Sequence, residues 1–328
     1  MSRPPTHGSA RRPRRFVLAL AAVTALLISG CGGDDTPAAS TGTTQVTVGV
    51  IPIVDVAPIY LGIKQGFFSA EHLELKLETA QGGAAIVPSV LSGQYQFGFS
   101  NTTSLLLANS QGVPLQAVAA GVASTGADGK DFGAVIVKGD SPIKSAKDLA
   151  GKRVAVNTLK NINTTTVNNV VQKDGGDPSR ITFVELPFPD IVAAVAKGDV
   201  DAGQVVEPFL TIGTGQGDRQ VVSNYAGTDP DLTVGMYFTT QQYASANATV
   251  VKGFTNAMKK SMEYAAAHPD DVRAILGTYT KIDPAVMKNL TLPKWPTAVD
   301  RDSVQLLADL AKKDGLITKP LTLDKLLP

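Results

Sequence analysis

An α/β fold in two lobes, built on largely parallel or mixed sheets flanked by helices, is what this sequence predicts, and three features carry the reading. Between residues 46 and 240, short apolar runs of strand length alternate with amphipathic stretches, the rhythm of βαβ units. The chain has 328 residues, room for about two domain-sized units. An internal echo aligns Val90-Leu-Ser-Gly-Gln-Tyr-Gln-Phe-Gly98 with Val195-Ala-Lys-Gly-Asp-Val-Asp-Ala-Gly203 without a gap. The same offset pairs Ile86-Val87 with Ile191-Val192 and Thr102 with Glu207. Both copies read helix end, glycine, turn, strand, glycine, an order that also recurs by chance in α/β chains.

The elements follow in sequence. Residues 46–51 read as a strand, 58–67 as a helix and 73–78 as a strand. A helix over 84–92 stops at Gly93, where a glycine accepts the left-handed conformation that ends helices. Strand 96–100, helix 102–110 and strands 115–122 and 134–137 come next. The rhythm restarts at Lys147-Asp-Leu-Ala-Gly-Lys-Arg-Val-Ala-Val-Asn157, a short helix ending at Gly151 and then a strand. Helix 164–173, strand 181–186, helix 190–197 stopped by Gly198 and strand 202–206 complete the second set. Gly213-Thr-Gly-Gln-Gly217 misses the dinucleotide-binding fingerprint and reads as a loop. Beyond Gln241 the pattern is helical, over 247–266, 269–278, 284–290 and 300–314.

The amino-terminal segment reads as an address. Five arginines (Arg3, Arg11, Arg12, Arg14, Arg15) precede an apolar run over 16–28, shorter than the ~20 residues that span a bilayer as a helix. Ile28-Ser29-Gly30-Cys31 then resembles a bacterial lipobox, which implies cleavage before Cys31 and lipidation of its thiol. Residues 1–30 are thus expected to be a lipoprotein signal peptide and 31–45, small and polar, a flexible tether. Several acyl chains would hold the protein on the extracytoplasmic face of the cell membrane.

Composition narrows the function classes. The net charge is +1, but the five amino-terminal arginines carry it, and the remainder is acidic by about −4. Such a body offers no basic face for nucleic acid. Cys31 is the single cysteine, so no intramolecular disulfide and no thiolate metal site is expected. His72 precedes a strand and His268 ends a helix, neither within a metal-ligand or triad pattern. No cofactor and no metal are expected.

In open α/β sheets, ligands bind beyond the carboxyl ends of strands. The loops so placed are 52–58, 100–102, 157–166 and 206–208, and if the lobes face each other these loops meet across a cleft. They are rich in hydroxyl and amide groups: Ser100, Asn101, Thr102, Asn157, Thr158, Asn163, Thr164, Thr165 and Thr166. Residues 164–166 would open a helix, where free backbone N–H groups favour an anion or where Asn163 or Thr164 simply caps. Glu207, a carboxylate after an apolar strand and before Pro208, would accept from a ligand amine or from a partner across the hinge. Asp55 would do the same or start the next helix. Pro58, Gly82, Gly83 and Tyr237 complete the candidate set. Tyr60, Phe99, Phe188 and Phe209 lie near these loops and would stack on a ring or fill the core. Lys160 is the only basic residue in them, so neutral and amine-bearing ligands fit as well as anions.

Four stretches together resemble a known family. They are Ala57-Pro-Ile-Tyr-Leu-Gly-Ile-Lys-Gln-Gly-Phe-Phe68, with Leu73-Glu-Leu75 behind it; Val90-Leu-Ser-Gly-Gln-Tyr-Gln-Phe-Gly-Phe-Ser100; Ser141-Pro-Ile-Lys-Ser-Ala-Lys-Asp-Leu-Ala-Gly-Lys-Arg-Val-Ala-Val156; and Ala194-Val-Ala-Lys-Gly-Asp-Val-Asp-Ala202 followed by Glu207-Pro208. In this order they resemble the periplasmic-type binding proteins that include sulfonate, taurine and nitrate receptors and the thiamin-pyrimidine receptors (the SsuA/THI5-like, NMT1 family). The resemblance implies a type II-like periplasmic-binding-protein fold, hinge closure over a small molecule and delivery to an ABC permease, the protein acting as a monomer. The crossovers are expected near 133–139 and 233–240. Lobe one would then be 46–132 plus 240–328, and lobe two 133–239. Two other classes remain in view: a sensory receptor on the same fold, and an enzyme of the pyrimidine-synthase type, whose cysteine-rich site this chain does not match.

Overall fold

The structure, a computed structural model, describes residues 42–327. The expected signal peptide, Cys31 and most of the tether lie outside these residues. The strands are β1 (Thr44–Val50), β2 (Leu73–Thr79), β3 (Phe97–Asn101), β4 (Leu115–Ala123), β5 (Gly133–Val137), β6 (Arg153–Val156), β7 (Thr182–Glu185), β8 (Ala202–Val206), β9 (Arg219–Val222) and β10 (Thr233–Thr240). The helices are α1 (Ala57–Lys64), α2 (Gly83–Leu91), α3 (Thr102–Ser110), α4 (Ile162–Lys173), α5 (Phe188–Lys197), α6 (Phe209–Gly215), α7 (Gln241–Ala246), α8 (Ala248–Ala267), α9 (Pro269–Leu276), α10 (Pro284–Met287), α11 (Arg301–Lys313) and α12 (Leu323–Leu326). Short 3₁₀ turns at Val54–Val56 and Ala146–Leu149 lead into α1 and β6.

Among the described residues, two five-stranded sheets form, in the orders β2-β1-β3-β10-β4 and β7-β6-β8-β5-β9. Their logic is the same. β1 pairs in parallel with β2 and β3, while β10 runs antiparallel between β3 and β4. β6 pairs in parallel with β7 and β8, while β5 runs antiparallel between β8 and β9. Each sheet is therefore mixed, with one reversed strand in the same place. The echo seen in the sequence falls on matched elements, α2–β3 in one sheet and α5–β8 in the other.

Local sequence explains the elements. β5 (Gly-Ala-Val-Ile-Val) and β8 (Ala-Gly-Gln-Val-Val) are buried along their whole lengths, as covered interior strands are. Asn101 caps α3 by accepting from Ser104 N at 2.9 Å. Asn161 caps α4 in a capping box with Thr164, so that helix starts two residues earlier than expected and neither Asn163 nor Thr164 is its cap. α5 ends at Gly198 with φ 78°, as its position predicts. One apolar core runs through both lobes, from Val48 and Phe97 to Ile136 and Val206, and a smaller one lies under α4 around Val154 and Val167.

The crossovers are corrected. Residues 133–137 and 233–240 are interior strands, one in each sheet, and the chain crosses instead through 124–132 and 223–232. β10 belongs to the first sheet, where it bonds β3 on one side and β4 on the other. The two crossing segments are stitched together. The Asp131 carboxylate accepts from Ser124 Oγ (2.7 Å), Thr125 N (3.0 Å), Phe132 N (2.9 Å) and, on the other crossing, Ala226 N (2.9 Å). Asp128 Oδ1 accepts from Ser223 N at 3.0 Å, and Gly129 N donates to Ser223 Oγ at 3.0 Å. Residues 213–217, read as a loop, form the end of α6 and the turn after it. β9 and α7 were not foreseen, and α9 and α10 are shorter than expected.

Candidate functional site

The post-strand loops of the two sheets meet, as the topology requires. Asn101, at the end of β3, reaches the other lobe, where its Oδ1 accepts from Ile162 N of α4 at 3.3 Å. Val54 N donates to Glu207 O at 3.1 Å. Gly82 is needed where α2 approaches the second lobe, because a Cβ there would stand 2.9 Å from Thr158 Cγ2. Gly83 packs on β3, and its Cβ would fall 2.0 Å from Ser100 Oγ.

Between the lobes lies a narrow floor of about 20 Å³, lined by Asp55, Asn101, Asn157, Asn161, Asn163 and Tyr225 among apolar groups that include Ile53, Phe99 and Phe188. Above it is a mouth of about 340 Å³, lined by Pro52, Thr79, Gln81, Pro187, Phe188 and Phe209, among others. Ile51, Ile53 and Phe188 line both spaces, so floor and mouth are neighbours that share a wall. Phe188 and Phe209 stack at the mouth, with ring centres 5.9 Å apart. Among the described residues, no Lys, Arg or His lines either space.

The floor's amides hold one another. Asn157 Oδ1 accepts from Asn161 Nδ2 (2.9 Å) and Asn163 Nδ2 (2.8 Å), and Tyr225 OH donates to Asn163 Oδ1 at 2.6 Å. Asn161 Oδ1 accepts from Asn163 N and Thr164 N, and Asn161 O from Thr165 N. With Ile162 N given to Asn101, the first-turn N–H groups of α4 are all used while the lobes are together, which favours the capping alternative over the anion one, with Asn161 as the cap. By contrast, no side chain caps α2 at Gly82.

Asp55 differs from the amides. It sits in the 3₁₀ turn before α1, is 3% exposed, and its Oδ1 is buried without a hydrogen-bond partner. Burial pushes its carboxyl up to about 7; its own backbone N–H opposes the shift and nearby Asp131 adds to it. Glu207 is placed otherwise. Its Oε1 accepts from Thr211 Oγ1 (2.7 Å) and Thr291 N (3.0 Å), and its Oε2 accepts from Thr211 N (3.0 Å). Burial raises its pKa, and these bonds hold the rise back. Glu207 is a clasp between α6 and the carboxy-terminal segment, absent from the lining of floor and mouth.

Of the other expected residues, Asn101 and Asn157 face the floor. Ser100 and Thr102 are buried beside it, and Thr102 Oγ1 donates to Thr233 O at 2.6 Å, tying α3 to β10. Thr164 completes its cap, while Thr165 Oγ1 is buried without a partner. Pro58 is buried in the first turn of α1. Tyr237 is wholly buried on β10 against Phe99 and Phe254, and its hydroxyl has no partner. The sequence reading missed Asn161 and Tyr225. The spacing Asn161-x-x-Thr164 could have flagged the first, but no local signal marks Tyr225, which arrives from the second crossing.

Comparison with known proteins gives a consistent picture. Residues 53–272 match the family described as NMT1/THI5 like. The taurine-binding periplasmic protein of Escherichia coli is 28% identical over 188 residues, which cover 57% of this chain and 56% of that protein. The 4-amino-5-hydroxymethyl-2-methylpyrimidine phosphate synthase of Aspergillus parasiticus is 21% identical over 245 residues, 68% of each chain. Among solved structures, the alkanesulfonate-binding protein SsuA from Xanthomonas axonopodis pv. citri, bound to MOPS, superposes with a TM-score of 0.75 at 19% identity, over 88% of this chain and 99% of that one. The fold is that of the periplasmic binding proteins.

Proposed function

We propose, for a chain that belongs to the NMT1/THI5-like family, that it captures a small polar molecule between its lobes outside the cytoplasmic membrane and delivers it to an ABC importer. The observation that carries this reading is the adjoining floor and mouth between two sheets of matched topology, with polar side chains gathered at the floor. The floor admits about one water molecule, so an organic solute enters only when the lobes part. Parting would break the Asn101–Ile162 and Val54–Glu207 bonds, and the segments 124–132 and 223–232 would absorb the rotation.

A receptor role is favoured over catalysis because the floor's amides and Tyr225 spend their hydrogen bonds on one another, an arrangement suited to holding shape. The likeness to a pyrimidine phosphate synthase keeps turnover worth measuring. The amino-terminal sequence supports anchoring through a lipidated Cys31, with the folded body a monomer on the extracytoplasmic face.

A thermal-shift panel of taurine, alkanesulfonates, nitrate and aminopyrimidines tests the reading. A saturable rise in melting temperature is expected with one class, and the bound compound is expected to be recovered chemically unchanged. A flat response across the panel, or conversion of the compound, argues against capture. Cys31→Ser should release the protein from membranes, and continued retention would remove the anchor.

A further inference from the structure

We infer that the cleft selects solutes by an amino group, which the floor takes in against Asp55 while a compact apolar or aromatic remainder occupies the mouth; this rests on the capture reading above. Three observations converge on it. The polar groups of the floor are balanced among themselves: the oxygens of Asn101, Asn157, Asn161 and Asn163 all accept from protein donors. Asp55 is the exception, a carboxylate lining the floor whose buried Oδ1 has no donor. Asn168 Oδ1, Gln204 Oε1 and Asp218 Oδ2 are also buried without partners, but of these four acceptors only Asp55 lines the floor or the mouth, where a solute can bring the donor that the protein does not supply.

Size is the second observation. At about 20 Å³ the floor, with the lobes together, admits one water-sized group, which is the size of an ammonium or amino group. The third is charge. With no Lys, Arg or His lining either space, nothing offsets an anion placed beside Asp55, while a cation is attracted to it. The mouth, with Pro52, Pro187 and the Phe188–Phe209 stack, suits an apolar or ring-shaped body.

Matched pairs test this with the full chain: taurine against ethanesulfonate, and an aminopyrimidine against the same pyrimidine lacking its amino group, each measured by calorimetry. The amine of at least one pair should bind roughly tenfold to a hundredfold more tightly than its partner, the size expected of a hydrogen bond to a charged group. Which pair discriminates tells an aliphatic ammonium from an aromatic amine. Asp55→Asn, which keeps the side chain's shape, should reduce that preference to within about threefold. Amine-free compounds that bind as tightly as their partners would overturn the inference and leave the capture reading standing, as would an Asp55→Asn protein that still discriminates. No binding by any member would overturn both.

Discussion

Replacing Asp55 with asparagine should make the ligand-free protein more stable while making it a poorer receptor. The carboxyl is held at about 7 in the folded state against 3.8 in an open chain, a difference of roughly three pH units. Each unit corresponds to about 1.4 kcal/mol, so the folded state carries up to about 4 kcal/mol of cost once the group is ionised. Relaxation and water entry reduce such figures, and about 2–4 kcal/mol is the working range. The sign follows from linkage. Between about pH 4 and 7 the folded protein binds the Asp55 proton and the unfolded chain does not, so stability falls as the pH rises through that window and levels off above it. Asparagine has no such dependence. Urea unfolding of both proteins from about pH 4.5 to 8 should therefore show a gap in favour of Asp55→Asn that is small at the acid end and largest above about pH 7. There it should reach roughly 2–4 kcal/mol, which a parallel thermal melt would read as about 5–10 °C. Comparing the two proteins cancels the other raised carboxyls, Glu207, Asp218 and Asp314. A gap that does not vary with pH, or a wild type that is the more stable at about pH 8, would refute the assignment of Asp55 as a buried group lacking a donor.

Three further substitutions test other parts of the structure. Glu207→Gln sets an amide N–H₂ against the Thr211 or Thr291 N–H and should cost about 1–3 kcal/mol in urea unfolding; an unchanged midpoint would remove the clasp. Gly83→Ala drives a methyl group to within 2.6 Å of Ser100 Cα, so about 1–3 kcal/mol or more should be lost, together with solute binding; a neutral outcome would mean that α2 shifts freely. Asp131→Ala frees four donors at the crossings and should cost about 3 kcal/mol while loosening solute retention, read as faster dissociation in stopped flow. Unaltered kinetics would confine Asp131 to a role in stability.

Much of this was legible in the sequence, and the gaps have physical causes. The alternation of apolar runs located β1 to β8 and the helices between them, and Gly93, Gly151 and Gly198 marked where helices or turns close. The echo anticipated the matched sheets because it recorded the helix–turn–strand geometry that both share. β10 was misplaced because a chain crossing and an interior strand look alike when apolar on both faces; only its partners β3 and β4 distinguish them. Asp55 and Glu207 carried the same local signal, an acid at the end of an apolar run. Their difference lies in which donors arrive from afar: Thr291, over 80 positions later, satisfies Glu207, whereas the distant donor at Asp55, Trp295 Nε1, goes to its backbone carbonyl and leaves Oδ1 without a partner. Tyr225 was invisible for the same reason, since residues distant in the chain bring it to Asn163.

One feature of connectivity shapes how the site would work. β4 and β10 are bonded neighbours, and the entire second sheet is spun out between them, so one whole lobe is the tip of an enormous hairpin. Its stalk is two crossing segments cross-laced by Asp128 and Asp131. A stalk of two bonded segments confines the rotation between the halves to a few residues. Asn101 and Ile162 would then regain the same register each time the halves meet, and the shape offered to a guest would be dictated by the wiring of the chain before any guest arrives.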